Sequence, residues 1–179
     1  MSCSVDGFIA DRDGDFGWGV PSDELFRFHT ERVGGLSGYL IGRRLYEMML
    51  PWEKDPAMRS DEAQNRFADL WCALPKIVFS RTLDHVEGNA RLATAPLADE
   101  IAAARTTEQD FEIGGADLAG QAIELGLVDE LRIFRHPVLV GGGTPLLPPV
   151  TDRLPLNLVE SRTFGDQVVY ERYGREVTT

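Results

Sequence analysis

The segment from Asp110 to Phe134 constrains this chain most. Asp110 to Ile113 reads as a strand running into Gly114-Gly115, Ala116 to Leu125 as a helix stopped by Gly126, and Leu131 to Phe134 as a second strand. Strands that alternate with helices in this way belong to mostly parallel sheets, which are covered on both faces. The glycine pair opens the helix N-terminus, a common way to hold a phosphate. There is no G-x-G-x-x-G, only Gly114, Gly115 and Gly120. Taken alone, the pair is equally well explained by close helix–strand packing.

The remainder of the chain repeats the alternation. Val5 to Ala10 reads as a strand interrupted by Asp6-Gly7, and a glycine-rich loop from Asp11 to Pro21 follows, of the length that functional lids have. Ser22 is placed to cap a helix with Asp23 and Glu24 in its first turn and Leu25, Phe26 and Phe28 opening its apolar face; it ends before Gly34-Gly35. Ser37 to Ile41 is a short strand ending at Gly42-Arg43-Arg44, and a brief helix runs through Met49 and stops before Pro51. Ser60 to Leu74 is a helix with Phe67, Leu70, Trp71 and Leu74 at helical spacing. Lys76 to Ser80 is a buried strand, Ala90 to Ala93 a weaker one, and Leu97 to Ala104 a helix. Leu156 to Arg162 and Gln167 to Tyr173 are strands separated only by Thr163 to Asp166, which makes them a hairpin. The expected fold class is α/β: a mostly parallel central sheet covered on both faces, with an antiparallel C-terminal hairpin. Ligands of such sheets bind beyond the carboxyl ends of the strands. Gly42-Arg43-Arg44, Ser80-Arg81-Thr82 and Gly114-Gly115 all stand at that end.

A chain of 179 residues fits one domain, 1–179. Its net charge of −11 excludes a broad nucleic-acid surface and an anionic membrane surface as partners, while leaving room for a small anion where basic residues cluster. The cysteines Cys3 and Cys72 lie far apart, outside any metal spacing, and read as core thiols of a reducing compartment. No apolar run reaches membrane-spanning length and the N-terminal residues lack a signal-peptide pattern, so a cytoplasmic protein is expected. His29, His85 and His136 are scattered, and no HExxH, CxxC or P-loop occurs, so metal chemistry and nucleotide hydrolysis have no support.

Several segments together resemble the dihydrofolate reductase-like family, in particular its bacterial branch related to the reductase domain of the bifunctional riboflavin biosynthesis deaminase/reductase. They are Ser4-Val5-Asp6-Gly7-Phe8-Ile9-Ala10, Gly42-Arg43-Arg44-Leu45-Tyr46-Glu47, Lys76 to Leu83, Ile113-Gly114-Gly115, and Gly126 to Leu147. They span the chain in the family's order. The resemblance implies a dihydrofolate reductase-like three-layer fold, NADPH as cofactor, hydride transfer to a small heterocyclic substrate of pterin or pyrimidine type, and a homodimer.

Carried over residue by residue, the resemblance places Ala10, Gly42, Arg43, Arg44, Ser80, Arg81, Thr82, Gly114, Gly115, Ala116, Asp117 and Leu118 at the cofactor. The chemistry is sensible: glycine admits the backbone to a phosphate, and arginine pairs with it. Arg81 is placed to read a 2′-phosphate and so to prefer NADPH over NADH. Leu45 stands where the family usually has threonine, which removes one hydroxyl contact. Trp18 and Asp23 match, in spacing, a loop tryptophan and a helix carboxylate that assists protonation of the substrate. Glu24 is a competing acid, and a plain helix-end charge is the alternative role for Asp23. The rival to a reductase is a non-catalytic nucleotide-binding or dimeric interaction protein that retains the fold. The exposed-looking run Pro137 to Val150, with Leu139, Val140, Leu146 and Leu147, suggests a surface for a second copy.

Overall fold

The α/β fold expected from the sequence is present in a computed structural model that describes residues 1–106, 110–165 and 167–175. The chain forms two compact units, Met1–Leu25 with Gly120–Thr179, and Phe26–Ala119. The divisions fall inside helices α1 (Asp23–Gly34) and α6 (Ala116–Glu124).

The unit of residues 26–119 holds an all-parallel sheet of four strands: β3 (Gly38–Gly42), β4 (Lys76–Phe79), β5 (Ala90–Leu92) and β6 (Phe111–Gly114), in the order β5-β4-β3-β6. The central strand β3 is apolar and buried from Gly38 through Ile41, as a strand covered on both faces must be. The same unit carries helices α2 (Arg43–Met49), α3 (Pro51–Lys54), α4 (Glu62–Ala73) and α5 (Leu97–Ala104), and most of α1. Tyr39, Ile41, Tyr46, Phe67, Trp71, Leu74 and Val78 form its core. Pro51, expected only to stop a helix, instead opens α3 at a position where its missing N–H costs nothing. Lys76 is buried, yet its ammonium is satisfied by the Leu74 carbonyl at 3.0 Å and the Glu53 carboxylate at 2.8 Å.

The other unit carries β1 (Ser2–Ser4), β7 (Glu130–His136), β9 (Leu156–Thr163) and β10 (Val169–Arg175), in the order β1-β7-β10-β9. Only β1 and β7 are parallel; β10 pairs antiparallel with both neighbours. Among the described residues the strands therefore form two four-stranded sheets and a separate two-stranded pair, where the sequence suggested one sheet. The hairpin of β9 and β10 is as expected, with Asp166 of its turn outside the described residues. Cys3, Ile133 and Leu146 form one cluster, and Phe134 stacks on Tyr170 at 4.8 Å.

The first strand corrects the sequence reading. Val5 to Ala10 is not one interrupted strand but the end of a turn and β2 (Phe8–Ala10), which pairs with the unexpected β8 (Thr144–Pro145). Gly7 makes the break: at φ +86° it closes a turn onto the Ser4 carbonyl. A second correction concerns the Pro137 to Val150 run. Leu139 is exposed, but Leu146 is buried in the cluster with Cys3, so the apolar patch is smaller than its composition suggested. Cys72 likewise is only half-buried.

Candidate active site

Parallel pairing puts the carboxyl ends of β3, β4 and β6 at one edge of their sheet: Gly42 lies beside Phe79, and Ile41 beside Gly114. The expected loops follow directly. Gly42 leads into α2, Phe79 into Ser80-Arg81-Thr82, and Gly114 into Gly115 and α6. A Cβ placed on Gly115 would lie 3.7 Å from the Cα and N of Gly42, so these two loops touch backbone to backbone.

The two glycines of the pair are glycine for different reasons. Gly115 has φ +96°, a conformation L side chains rarely adopt. Gly114 is a matter of space: a Cβ there would come within 2.5 Å of both Tyr39 Cε1 and Leu45 Cδ2. Tyr39 cannot yield easily. Its hydroxyl donates to Glu112 at 3.0 Å, and Glu112 is in turn paired with Arg32. Burial pushes the Tyr39 hydroxyl well above its ordinary pKa, with the Glu112 charge adding to the effect. Burial would raise Glu112 as well, but Arg32 holds its carboxyl below the usual range.

The cations differ in availability. Arg43 bonds Glu47 of its own helix at 3.0 Å, both side chains being about two-fifths exposed. Arg44 and Arg81 are exposed, and neither ion-pairs with a described residue. The Ser80 hydroxyl accepts the N–H groups of Thr82 (3.1 Å) and Leu83 (3.0 Å), which folds the loop that carries Arg81. In the first turn of α6, Ala116 is half-buried, Asp117 exposed and Leu118 buried, its Cβ 3.9 Å from where a Gly42 Cβ would lie. Ala10 ends β2 in the other unit, where its carbonyl packs against Gly143.

Open glycine backbone and two uncommitted arginines at one sheet edge suit an anionic dinucleotide, in a chain whose net charge is −11. The residues present therefore fit the cofactor that the resemblance implies.

In the unit of residues 1–25 and 120–179, Trp18 stands on a single 3-10 turn, Gly17–Gly19. Asp11 shapes the preceding loop by accepting the N–H groups of Asp13 and Asp15, each at 2.9 Å. Trp18 is half-buried, its Nε1 is enclosed without a hydrogen-bond partner among the described residues, and its ring meets His136 edge-on at 5.7 Å. Asp23, the first residue of α1, is exposed. Glu24 is committed elsewhere: it accepts Arg162 Nη2 at 2.9 Å and the Gly165 N–H at 3.0 Å, both at the β9–β10 turn.

Sequence reasoning missed two features here. His136 was set aside for want of a partner at recognisable spacing, yet it is 3% exposed at the end of β7, in register with Ser4. Asp6 appeared only as a strand interruption. Its carboxylate accepts the Ser4 hydroxyl at 2.6 Å and the Gly141 and Val140 N–H groups at 2.8 and 3.2 Å. The Ser4 bond first, and then those two N–H groups, hold the carboxyl below its ordinary range. Arg12 takes the Gly141 carbonyl from the other side. The triplet Gly141-Gly142-Gly143 was the available signal: all three have positive φ, and a Cβ at Gly143 would lie 2.1 Å from the Ala10 carbonyl oxygen.

Comparison with known proteins bears on the fold and the family. The RibD C-terminal domain family matches residues 104–170. The uncharacterized protein YyaP of Bacillus subtilis (strain 168) is 29% identical over 174 residues, covering 94% of this chain and 89% of that protein. A crystal structure from Shewanella sp. PV-4, provisionally assigned to riboflavin biosynthesis, is 27% identical with a TM-score of 0.76, covering 99% of this chain and 97% of that one. Dihydrofolate reductase from Enterococcus faecalis, solved with NADP(H), shares the fold at 17% identity and a TM-score of 0.62, covering 98% of this chain and 94% of that one. No helix among the described residues is long and apolar enough to cross a membrane.

Proposed function

From a chain similar to RibD C-terminal domains, with the fold of the reductases it matches, we propose an NADPH-dependent reductase that acts on a small heterocycle of pterin or pyrimidine type. The observation that carries this reading is the carboxyl edge of the parallel sheet, where Gly42, Gly115, Arg44 and Arg81 lie on adjacent strand ends. In that role Gly42 and Gly115 admit the cofactor's phosphates to the backbone, Arg44 supplies charge, and Arg81 reads the 2′-phosphate. Bound NADPH supplies the hydride. Asp23 delivers the proton, and Trp18 covers the substrate. The commitment of Glu24 to Arg162 and Gly165 favours Asp23 as the acid. We place the enzyme in the cytoplasm and expect a homodimer, with exposed Leu139, Leu147 and Val150 among the surfaces available to the second copy.

A thermal melt tests the cofactor. A ligand at 100 times its Kd stabilises by about 2.7 kcal/mol. In a chain of this size that raises Tm by roughly 5–10 °C. NADPH should give that rise, and NADH clearly less at equal concentration. No shift with either would leave the non-catalytic interaction protein as the better reading.

A further inference from the structure

The 3-10 turn Gly17–Gly19 has only Trp18 between its glycines, so no side chain within it can fix the indole. The neighbouring apolar residues do not help: Phe16 is 49% and Val20 76% exposed. Trp18 nevertheless turns inward, far enough to enclose its Nε1 without a hydrogen-bond partner among the described residues. An indole free to rotate would return that N–H to water, because an enclosed donor without an acceptor is costly. Something therefore holds the ring, and the aromatic it meets is His136, at 5.7 Å between centroids and 70° between planes. That is the edge-to-face arrangement aromatic pairs prefer. His136 is itself buried, at 3% exposed, and is paired with Ser4 in the ladder of β1 with β7.

We infer that His136 is a positioning residue: it fixes the indole of Trp18, and through the indole the loop of residues 11–20, in the orientation that a substrate meets. The functional half of this inference rests on the assignment of Trp18 to the substrate. The geometric half does not. The last residue of β7 thus has a task that its isolation in the sequence conceals.

The emission of Trp18 tests it, isolated as the difference between the native chain and Trp18→Phe, because Trp52 and Trp71 also fluoresce. In His136→Ala the Trp18 component should shift to the red, and its quenching by acrylamide should rise about three-fold or more. His136→Phe, which keeps a flat ring, should restore the native emission. A histidine that merely fills space would lower Tm and leave the emission of the folded protein unchanged; that result would overturn the inference. Should His136→Ala fail to fold, His136→Asn removes the ring with a smaller change in volume and is read in the same way. The measurement needs neither NADPH nor a substrate. An absent NADPH shift in the native chain would therefore sink the reductase reading while the emission result still decides the role of His136.

Discussion

Glu100 is a carboxylate in an unusual position: 4% exposed, in the first turn of α5, and still charged. It accepts both terminal nitrogens of Arg91, with Nη1 at 2.9 Å, and the Thr94 N–H at 3.0 Å. The Arg91 bonds first, against the opposing effect of burial and with help from the Thr94 N–H, bring its pKa from 4.5 to about 2. A pKa lower in the folded than in the unfolded chain means stability that is complete above the unfolded value and lost as pH falls through the folded one. Here the window runs from about 4.5 down to about 2. At about 1.4 kcal/mol for each tenfold in proton affinity, the difference is on the order of 3 kcal/mol. The Arg91 side chain is half exposed, and water screens it, so on the order of 2 kcal/mol is the better expectation. Glu100→Gln should then lower Tm at pH 7 by roughly 5 °C. Melts of both proteins from pH 7 to pH 2 cancel the carboxylates they share. The gap between them should close as pH falls below about 4.5 and be nearly gone at about 2. A gap that stays constant across that range would show that the ionised carboxylate is not what stabilises this corner, and would refute the reasoning.

The remaining predictions concern the sheet edge and the substrate side. Gly114→Ala should cost about 1–3 kcal/mol in urea unfolding, because Tyr39 is locked by Glu112, whereas Gly115→Ala should cost about 1–2 kcal/mol through its φ alone; a neutral Gly114→Ala would mean that Tyr39 moves freely. Arg81→Ala should weaken NADPH binding about ten-fold or more, the scale of one charge-assisted phosphate contact, and spare NADH. Equal losses in titrations of both cofactors would show that it does not read the 2′-phosphate. With a substrate in hand, Asp23→Asn should lower turnover at neutral pH by roughly 10²-fold and leave NADPH affinity intact. Glu24→Gln should instead cost up to about 1 kcal/mol of stability with little effect on turnover, and the opposite pattern would reassign the acid. Sedimentation at micromolar concentration should give a dimer; a monomer would remove the second copy.

What the sequence determined by itself is the local structure. The spacing of Phe67, Leu70, Trp71 and Leu74 marks α4, Gly126 closes α6, and the short link after Thr163 makes the β9–β10 hairpin, because helices and tight turns are decided by residues a few positions apart. The positions of Gly42, Ser80 and Gly114 at strand ends were legible for the same reason. Tertiary structure decided everything that depends on residues distant in the chain. It divided the described strands among three sheets, since periodicity records that a strand is buried but not which strand it pairs with. It separated the reasons for two adjacent glycines: Gly115 answers to its own φ, Gly114 to Tyr39, a side chain 75 positions earlier. It committed Glu24 to a turn more than 130 residues away and left Asp23 exposed, a choice that two neighbouring acids in one helical turn cannot reveal. It also brought His136 to Trp18 and the Gly141 amide to Asp6, contacts that exist only once the parallel pairing of β1 with β7 has closed a loop longer than 100 residues.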